Sequence, residues 1–168
     1  TVVTNDVALI FLVDDDDPTL PEYPQAEILV GLPTGDPTGP LNAAVRASLS
    51  PIVGFMGDDT RFETVGWDRR VLDAMSEPSF CWGDDGHEAP WPSTCFITRS
   101  ICDALGYMVP PTLRRGFFDV VWLELAKGTG TSKYVPEHMV EVDLMGEMED
   151  EDLVGVYCAW TTSLGDEK

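Results

Sequence analysis

The strongest constraint on the fold is an apolar run near the start of the chain that ends in four consecutive acids. The segment DVALIFLV, residues 6–13, is rich in branched side chains and contains no polar alternation, and Asp14 follows it directly. Such a run is typical of a strand buried on both faces, as in a parallel sheet with helices on each side. We therefore expect an α/β fold with this strand inside the sheet.

A second buried strand also ends in carboxylates. The segment PIVGFMG, residues 51–57, leads straight into Asp58 and Asp59. In open α/β sheets, ligands bind beyond the carboxyl ends of the strands, and a divalent cation such as Mg²⁺ or Mn²⁺ would neutralise acids gathered there. The alternative for both strand ends is that aspartate only forms turns and helix caps.

The remaining pattern alternates between strands and helices. Strands are predicted at residues 26–31 and from residue 96. The second of these strands passes directly into a helix that ends near Gly106. Further helices are predicted at 41–49, 67–77 and 117–128. This order predicts a mostly parallel mixed sheet flanked by helices. We expect one domain over residues 1–140, with the ordered core ending near 144, and an acidic C-terminal segment over 141–168.

Composition excludes some functions. The chain has 168 residues, of which 43% are hydrophobic, and a formal net charge of −20. That charge disfavours binding to nucleic acid through a basic surface, and no apolar run approaches the roughly 20 residues of a membrane span. The spacing of the four cysteines fits neither a zinc site nor a disulfide scaffold, so free buried thiols are expected, with a Cys95–Cys102 bridge as the alternative.

Several segments together resemble a known family. FLVDDDDPTLPEY, LPTGDPTGPLNAAVRAS and VGFMGDDTRFETVGWD are followed by CWGDDGHEAPWPSTCFITRSICDALGY, FFDVVWLELAKG and YVPEHM. In order and spacing they resemble the family-2-type glycosyltransferases of GT-A (Rossmann-like) fold, most closely the small versions found in bacteriophage genomes. Members of that family usually open with a strand and a helix before the first acidic strand end, and we expect this first unit to be absent here.

The resemblance implies a role for individual residues. It implies that Asp14 and Asp15 contact the nucleoside and that Asn42 and Arg46 face the nucleotide site. Asp58 and Asp59 match the DxD-type motif that holds Mn²⁺ or Mg²⁺ on the donor diphosphate, with Asp58 thereby also counted among the donor-binding residues. Asp119 matches the general base and His138 a late metal ligand.

Each of these residues also has a plainer interpretation. Asp119 precedes an apolar helix and could serve only as its N-cap, and His138 could be an ordinary surface histidine. His87, Asp84 and Asp85 could line an acceptor pocket or lie in a solvated loop. Trp82 and Trp91 could form sugar platforms or simply pack, whereas Trp67 and Trp122 are assigned to the core. Arg114 and Arg115 are candidates for steering donor phosphates or a solvated pair.

Taken together, these residues predict a metal-dependent glycosyltransferase that acts on a nucleoside diphosphate sugar, with a UDP-sugar as the first candidate donor and inversion as the expected outcome. The acceptor is open among modified DNA, a virion protein, a glycan and a small molecule. Two alternatives remain: a non-enzymatic protein, which is either a degenerate GT-A domain or an acidic virion or interaction module, and a nucleotidyltransferase. The expected location is the cytoplasm, that of the host if a phage encodes the protein, with no membrane partner.

Overall fold

The computed structural model describes residues 7–16, 18, 27–31, 38–56, 60–76, 78–85, 92–113, 117–138, 140–142 and 157–162. The helices are α1 (Thr38–Ala47), α2 (Trp67–Ala74), α3 (Arg99–Leu105) and α4 (Phe118–Thr129). The strands are β1 (Val7–Asp14), β2 (Glu27–Gly31), β3 (Ile52–Met56), β4 (Thr60–Phe62), β5 (Phe80–Asp84), β6 (Cys95–Thr98), β7 (Ser132–His138), β8 (Val140–Val142) and β9 (Tyr157–Thr162).

Seven strands form one mixed sheet in the order β2-β1-β9-β3-β6-β5-β7, and β4 pairs with β8 in a small second sheet. The α/β class is therefore confirmed, but the prediction of a mostly parallel sheet is wrong at the level of pairing. Only β1–β2 and β5–β7 are parallel neighbours, and the other four neighbouring pairs are antiparallel. Even so, β1, β2, β3, β5 and β7 run in the same direction, because each antiparallel contact in the large sheet involves either β6 or β9.

The strand β9 was not predicted, because the sequence analysis ended the ordered core near residue 144. It lies between β1 and β3 and pairs with both, with Ala159 opposite Ile10 on one side and Phe55 on the other. Its segment, YCAWTT, is short and follows a strongly acidic stretch, so no local pattern sets it apart. The ordered part of the chain thus includes residues 157–162 in the middle of the sheet.

Apolar side chains fill both faces of the sheet. On one face, Leu12, Phe55 and Ile97 pack with Leu41 of α1 and Trp122 of α4. On the other face, a second core forms around residues of the sheet, α2 and β4. The predicted core positions of Trp67 and Trp122 are confirmed, since their exposed fractions are 1% and 3%. The sheet is therefore covered on both sides, as the apolar run of β1 requires.

Two helix ends depend on glycine. Gly106 ends α3 with a φ of 81°, as predicted. The helix α4 continues past Gly128, its predicted end, and stops at Gly130, where φ is 71°. The N–H of Gly130 donates to the carbonyl oxygen of Lys127 at 3.3 Å. Of Gly128 and Gly130, only Gly130 takes the left-handed conformation that ends the helix.

Three cysteines, Cys81, Cys95 and Cys102, are buried free thiols, so the predicted free state is confirmed for them and the Cys95–Cys102 bridge is excluded. Burial raises the pKa of the Cys81 and Cys102 thiols to about 12 and that of Cys95 well above its ordinary value. Separately, among the helices of the described residues, none has the length and apolarity needed to cross a membrane.

Candidate functional site

The carboxyl ends of five strands, β1, β2, β3, β5 and β7, lie at one edge of the large sheet. Asp14 ends β1, Met56 ends β3, Asp84 ends β5 and His138 ends β7, and these four strands run in the same direction. The strands β1 and β3 are not neighbours, as they flank β9, so their axes lie about 10 Å apart at the usual strand spacing. We refer to this side of the sheet as the carboxyl edge.

Of the acids predicted to bind the donor or the metal after β1 and β3, only those that follow β1 lie within the described residues. Asp14 pairs with Gly31 at the end of β1, and the exposed Asp15 follows it. Asp58 and Asp59, the predicted metal ligands after β3, lie outside the described residues, as do His87, Trp91, Arg114 and Arg115. Their roles stay predictions.

The helix α4 begins at the carboxyl edge and brings Asp119 there. The ring of Phe118 meets that of Phe55 near the end of β3, with centroids 4.5 Å apart at 62°. The chain then leaves α4 and enters β7 beside the amino end of β5, where the N–H of Phe80 donates to the carbonyl oxygen of Thr131. Because α4 thus runs against β5 and β7, its first turn lies at their carboxyl ends.

Asp119 occupies the second position of α4, as expected for a helix start, and it is not the N-cap. Its Oδ1 accepts a hydrogen bond of 2.8 Å from the N–H of Val120. The side chain is half-buried. The pKa of the buried Cys95 thiol is raised, mainly by burial and next by the negative charge of Asp119. The Asp119 carboxylate is therefore close enough to act on a buried group. Asp119 lies in the first turn of α4, at the positive end of the helix dipole, which interacts favourably with a negative charge.

The N-cap of α4 is Phe117, which takes a left-handed backbone conformation with a φ of 62°. Among the described residues it is the only one other than glycine with a positive φ. The residue is 71% exposed and lies two positions before Asp119 in sequence. A bulky residue held in this conformation costs about 1–2 kcal/mol, and such strain clusters at functional sites.

Asn42 has a structural role that the sequence did not predict. Its Nδ2 donates to the carbonyl oxygen of Val109 at 2.8 Å, and its Oδ1 accepts from the N–H groups of Met108 and Val109 at 2.8 and 2.9 Å. The residue is 7% exposed. These bonds hold α1 to the segment after α3 and leave one amide hydrogen for any ligand.

Arg46 lies away from the carboxyl edge. It is exposed near the C-terminal end of α1, where Arg99 donates to the carbonyl oxygens of Val45, at 2.6 Å, and of Ser50, at 2.9 Å, just before β3 begins. Arg46 lines a cavity of about 210 Å³ together with Arg99 and Tyr107. The structure therefore does not bring Arg46 together with Asp14 and Asp119.

The predicted metal ligand His138 is at the carboxyl edge by its place in β7. It stands opposite Asp84 in the β5–β7 pairing, across an irregularity between Gly83 and Asp84. No group of three His, Cys, Asp or Glu side chains that could hold a metal ion occurs within the described residues. Mn²⁺ and Mg²⁺ prefer hard oxygen ligands, and the carboxylates of Asp58 and Asp59, the residues assigned to the metal, are of this type. Both residues lie outside the described part of the chain.

A second group of residues lies along β5 and β7 and just after β5. Trp82 pairs with Tyr134 in the sheet register, and their rings lie 5.6 Å apart at 49°. Tyr134 is 44% exposed, whereas Asp85 is 4% exposed. Burial raises the pKa of the Tyr134 phenol, and the negative charges of Asp84 and Asp85 raise it further.

No protein-family model, curated protein or solved structure matches this chain. The candidate site therefore depends on its own residues and geometry.

Sequence reasoning missed Phe117 and Tyr134 as candidates for the site. The signal for Tyr134 is present, since it lies four residues before His138, in a strand that follows a helix. The signal for Phe117 is absent, because a positive φ at a non-glycine residue cannot be read from the sequence.

Proposed function

We propose that this protein is a metal-dependent glycosyltransferase of GT-A type that moves a sugar from a nucleoside diphosphate sugar to an acceptor hydroxyl. One observation carries the proposal: acid-terminated strands and the Asp119 turn of α4 share one edge of the sheet. Open α/β sheets bind ligands beyond the carboxyl ends of their strands, and Asp14 and Asp84 are the last residues of two such strands.

In this proposal Asp119 is the general base. Its carboxylate takes the proton of the acceptor hydroxyl as the acceptor oxygen bonds to the anomeric carbon and the bond to the diphosphate oxygen breaks. The start of a helix suits this role, because the side chain is fixed by Val120 N–H through Oδ1. A single displacement of this kind inverts the anomeric centre.

The donor would lie across the ends of β1 and β3. In this proposal Asp14 and Asp15 would accept hydrogen bonds from ribose or base, and Asp58 and Asp59 would hold the cation. A divalent ion on the diphosphate supplies charge stabilisation for the leaving group. A UDP-sugar is the first donor to test.

The test is a thermal-shift screen of UDP, GDP, TDP and CMP sugars, each in Mn²⁺ and in EDTA. A ligand at 100 times its dissociation constant adds about 2.7 kcal/mol to the free energy of unfolding. We expect stabilisation by one nucleotide class, in Mn²⁺ only. Equal shifts in EDTA would contradict metal dependence, and the absence of any shift would favour a non-enzymatic interaction module.

A further inference from the structure

The cavity of about 210 Å³ beside α1 and α3 has a polar lining that the proposed reaction does not use. Its polar residues are Asn42 and Arg46 of α1, Arg99 and Asp103 of α3, and Tyr107, which follows α3. The helix α1 leads into the beginning of β3, and α3 follows the end of the antiparallel β6. The end of α1 and the start of α3 therefore lie at the edge of the sheet opposite the carboxyl edge.

Arg99 brings a fixed positive charge to this cavity. Its Nε donates to the carbonyl oxygen of Ser50 at 2.9 Å, and its Nη2 donates to the carbonyl oxygens of Val45, at 2.6 Å, and of Ser48. The remaining nitrogen, Nη1, lies 3.5 Å from Oδ1 of Asp103, whose side chain is 65% exposed. Because Nη1 carries two hydrogens and Asp103 offers it one oxygen, a hydrogen of this guanidinium is left for a ligand.

The fold also leaves hydrogen-bond donors on the other polar residues of the lining. Arg46 is exposed and makes no ion pair or hydrogen bond with another described residue. Asn42 is 7% exposed and gives one amide hydrogen to the carbonyl oxygen of Val109, so its second amide hydrogen remains. Tyr107 is half-buried and carries a phenol O–H. The lining thus sets two guanidinium groups, an amide N–H and a phenol against a single carboxylate.

The charge of this lining is opposite in sign to that of the chain. Two of the ten bases of the chain share the cavity with one acid, although the chain as a whole has a formal net charge of −20. At physiological ionic strength, charges more than about 8 Å apart are largely screened at the surface. An anion in the cavity would therefore interact mainly with the two arginines.

We propose that this cavity binds a phosphate group, which would connect Arg46 of α1 to Arg99 of α3. The ligand is free phosphate or the phosphoryl end of a phosphate monoester. An arginine guanidinium binds phosphate oxygens through charge-assisted hydrogen bonds, in a planar fork that matches their geometry. This site is separate from the donor site of the proposed function and does not depend on it, because the donor would lie at the carboxyl edge.

Size and hydrogen-bond geometry select a phosphate group over other anions. The cavity has about seven times the roughly 30 Å³ that a water molecule takes up in the liquid, and it is smaller than the pockets of about 300–1,000 Å³ that enclose larger ligands. A whole nucleotide sugar is thereby excluded. A carboxylate has two oxygens in one plane, which one guanidinium satisfies. A phosphate group has three acceptor oxygens and nearly two negative charges, which suits donors from α1, α3 and the segment after α3.

The test is a titration of isotope-labelled protein, followed by the NMR signals of the Asn42 side-chain amide and the Tyr107 backbone amide. The probes are inorganic phosphate, glycerol phosphate and acetate, all at constant ionic strength. A UDP-sugar with Mg²⁺ is then added to the phosphate-saturated protein. We expect saturable shifts with phosphate or its monoester, weaker binding of acetate, and no displacement of phosphate by the UDP-sugar.

Four variants test whether the lining itself binds the anion. Arg46→Gln should bind phosphate about tenfold more weakly, because it loses charge-assisted hydrogen bonds. Asp103→Asn should bind it about two- to threefold more tightly, because it removes the neighbouring negative charge. The controls Arg69→Gln and Asp73→Asn make the same changes of net charge at an exposed ion pair of α2 and should bind phosphate like the wild type.

The outcomes distinguish the source of the phosphate group and expose a wrong assignment. Saturation by inorganic phosphate alone would support the site and identify the free ion, whereas saturation by glycerol phosphate as well would identify a phosphoryl end. The absence of a saturable shift, or acetate binding as tight as that of phosphate, would overturn the proposal. So would an equal loss of affinity in Arg46→Gln and Arg69→Gln, or displacement of phosphate by the UDP-sugar. None of these results depends on glycosyl transfer, so the two proposals can fail separately.

Discussion

Phe118 packs edge-to-face on Phe55, with ring centroids 4.5 Å apart, and this contact ties the first turn of α4 to the last residues of β3. The exposed fractions of the two residues are 6% and 4%. Aromatic pairs in this geometry contribute about 0.5–1.5 kcal/mol beyond the area they bury. The position of Asp119 at the carboxyl edge therefore depends on a contact of its immediate neighbour.

Replacing Phe118 should destabilise the protein strongly. Phe118→Ala removes a buried ring and leaves a cavity, at a cost of about 3–5 kcal/mol in the free energy of unfolding. Urea denaturation measures this cost. Leu125→Ala, at a 46% exposed position of the same helix, is the control and should cost far less. A loss below about 1 kcal/mol for Phe118→Ala would contradict the packing described here.

The strained backbone of Phe117 gives a second prediction. Phe117→Gly and Phe117→Ala remove the same exposed ring, but only glycine takes a φ of 62° without a steric penalty. The glycine variant should therefore be more stable than the alanine variant by about 1 kcal/mol, as judged from urea denaturation midpoints. An alanine variant as stable as the glycine variant would show that the position carries no strain.

Asn42 and Arg46, four residues apart on α1, should behave differently when truncated. Asn42→Ala removes three hydrogen bonds to the buried backbone of Met108 and Val109, and should lower the free energy of unfolding by about 2–4 kcal/mol. Arg46→Ala changes an exposed side chain and should stay within about 0.5 kcal/mol of wild type.

The Arg46→Ala variant also tests the nucleotide role implied for Arg46. Arg46 lies near the C-terminal end of α1, away from Asp14 and Asp119, so Arg46→Ala should leave nucleotide-sugar affinity unchanged in a thermal-shift titration. A clear loss of affinity would mean that the donor reaches that end of the helix.

The buried thiols predict a loss of stability at alkaline pH. The folded pKa of Cys81 and Cys102 is about 12, above the ordinary value of 9.0, so the folded protein holds protons that the unfolded chain releases. Their contribution is fully present below pH 9 and declines between pH 9 and 12, by about 1.4 kcal/mol per pH unit for each thiol. Urea denaturation between pH 8 and 10.5 measures the decline, and Cys102→Ala should reduce its slope. A slope unchanged in Cys102→Ala would contradict the assignment.

The sequence predicted the local elements well because their signals are local. The unbroken apolar run of β1, the amphipathic spacing of α2 and the glycine after α3 each act within a few residues. The same holds for Asp119, since an acid before an apolar stretch is a helix-start pattern. That Asp119 is the second residue of α4, with Phe117 as the N-cap, required the backbone.

Strand pairing was less predictable, because it depends on which distant segment fills each place in the sheet. An apolar run shows that β1 is buried, but it does not show that its neighbours are β2 on one side and β9 on the other. The role of Asn42 was hidden for a similar reason, as its partners are 66 and 67 residues away. Neither relationship leaves a periodic signal.

The most direct test of the account is turnover of the donor by Asp119→Asn. The measurement is the Mn²⁺-dependent release of sugar from the nucleotide sugar that stabilises the wild type, with water as acceptor. Asp73→Asn, an exposed acid of α2 paired with Arg69, is the matched control. We predict that Asp119→Asn binds the donor like wild type but loses turnover by at least about 100-fold, the usual contribution of a general base, whereas Asp73→Asn retains it. Wild-type turnover in Asp119→Asn would contradict the account.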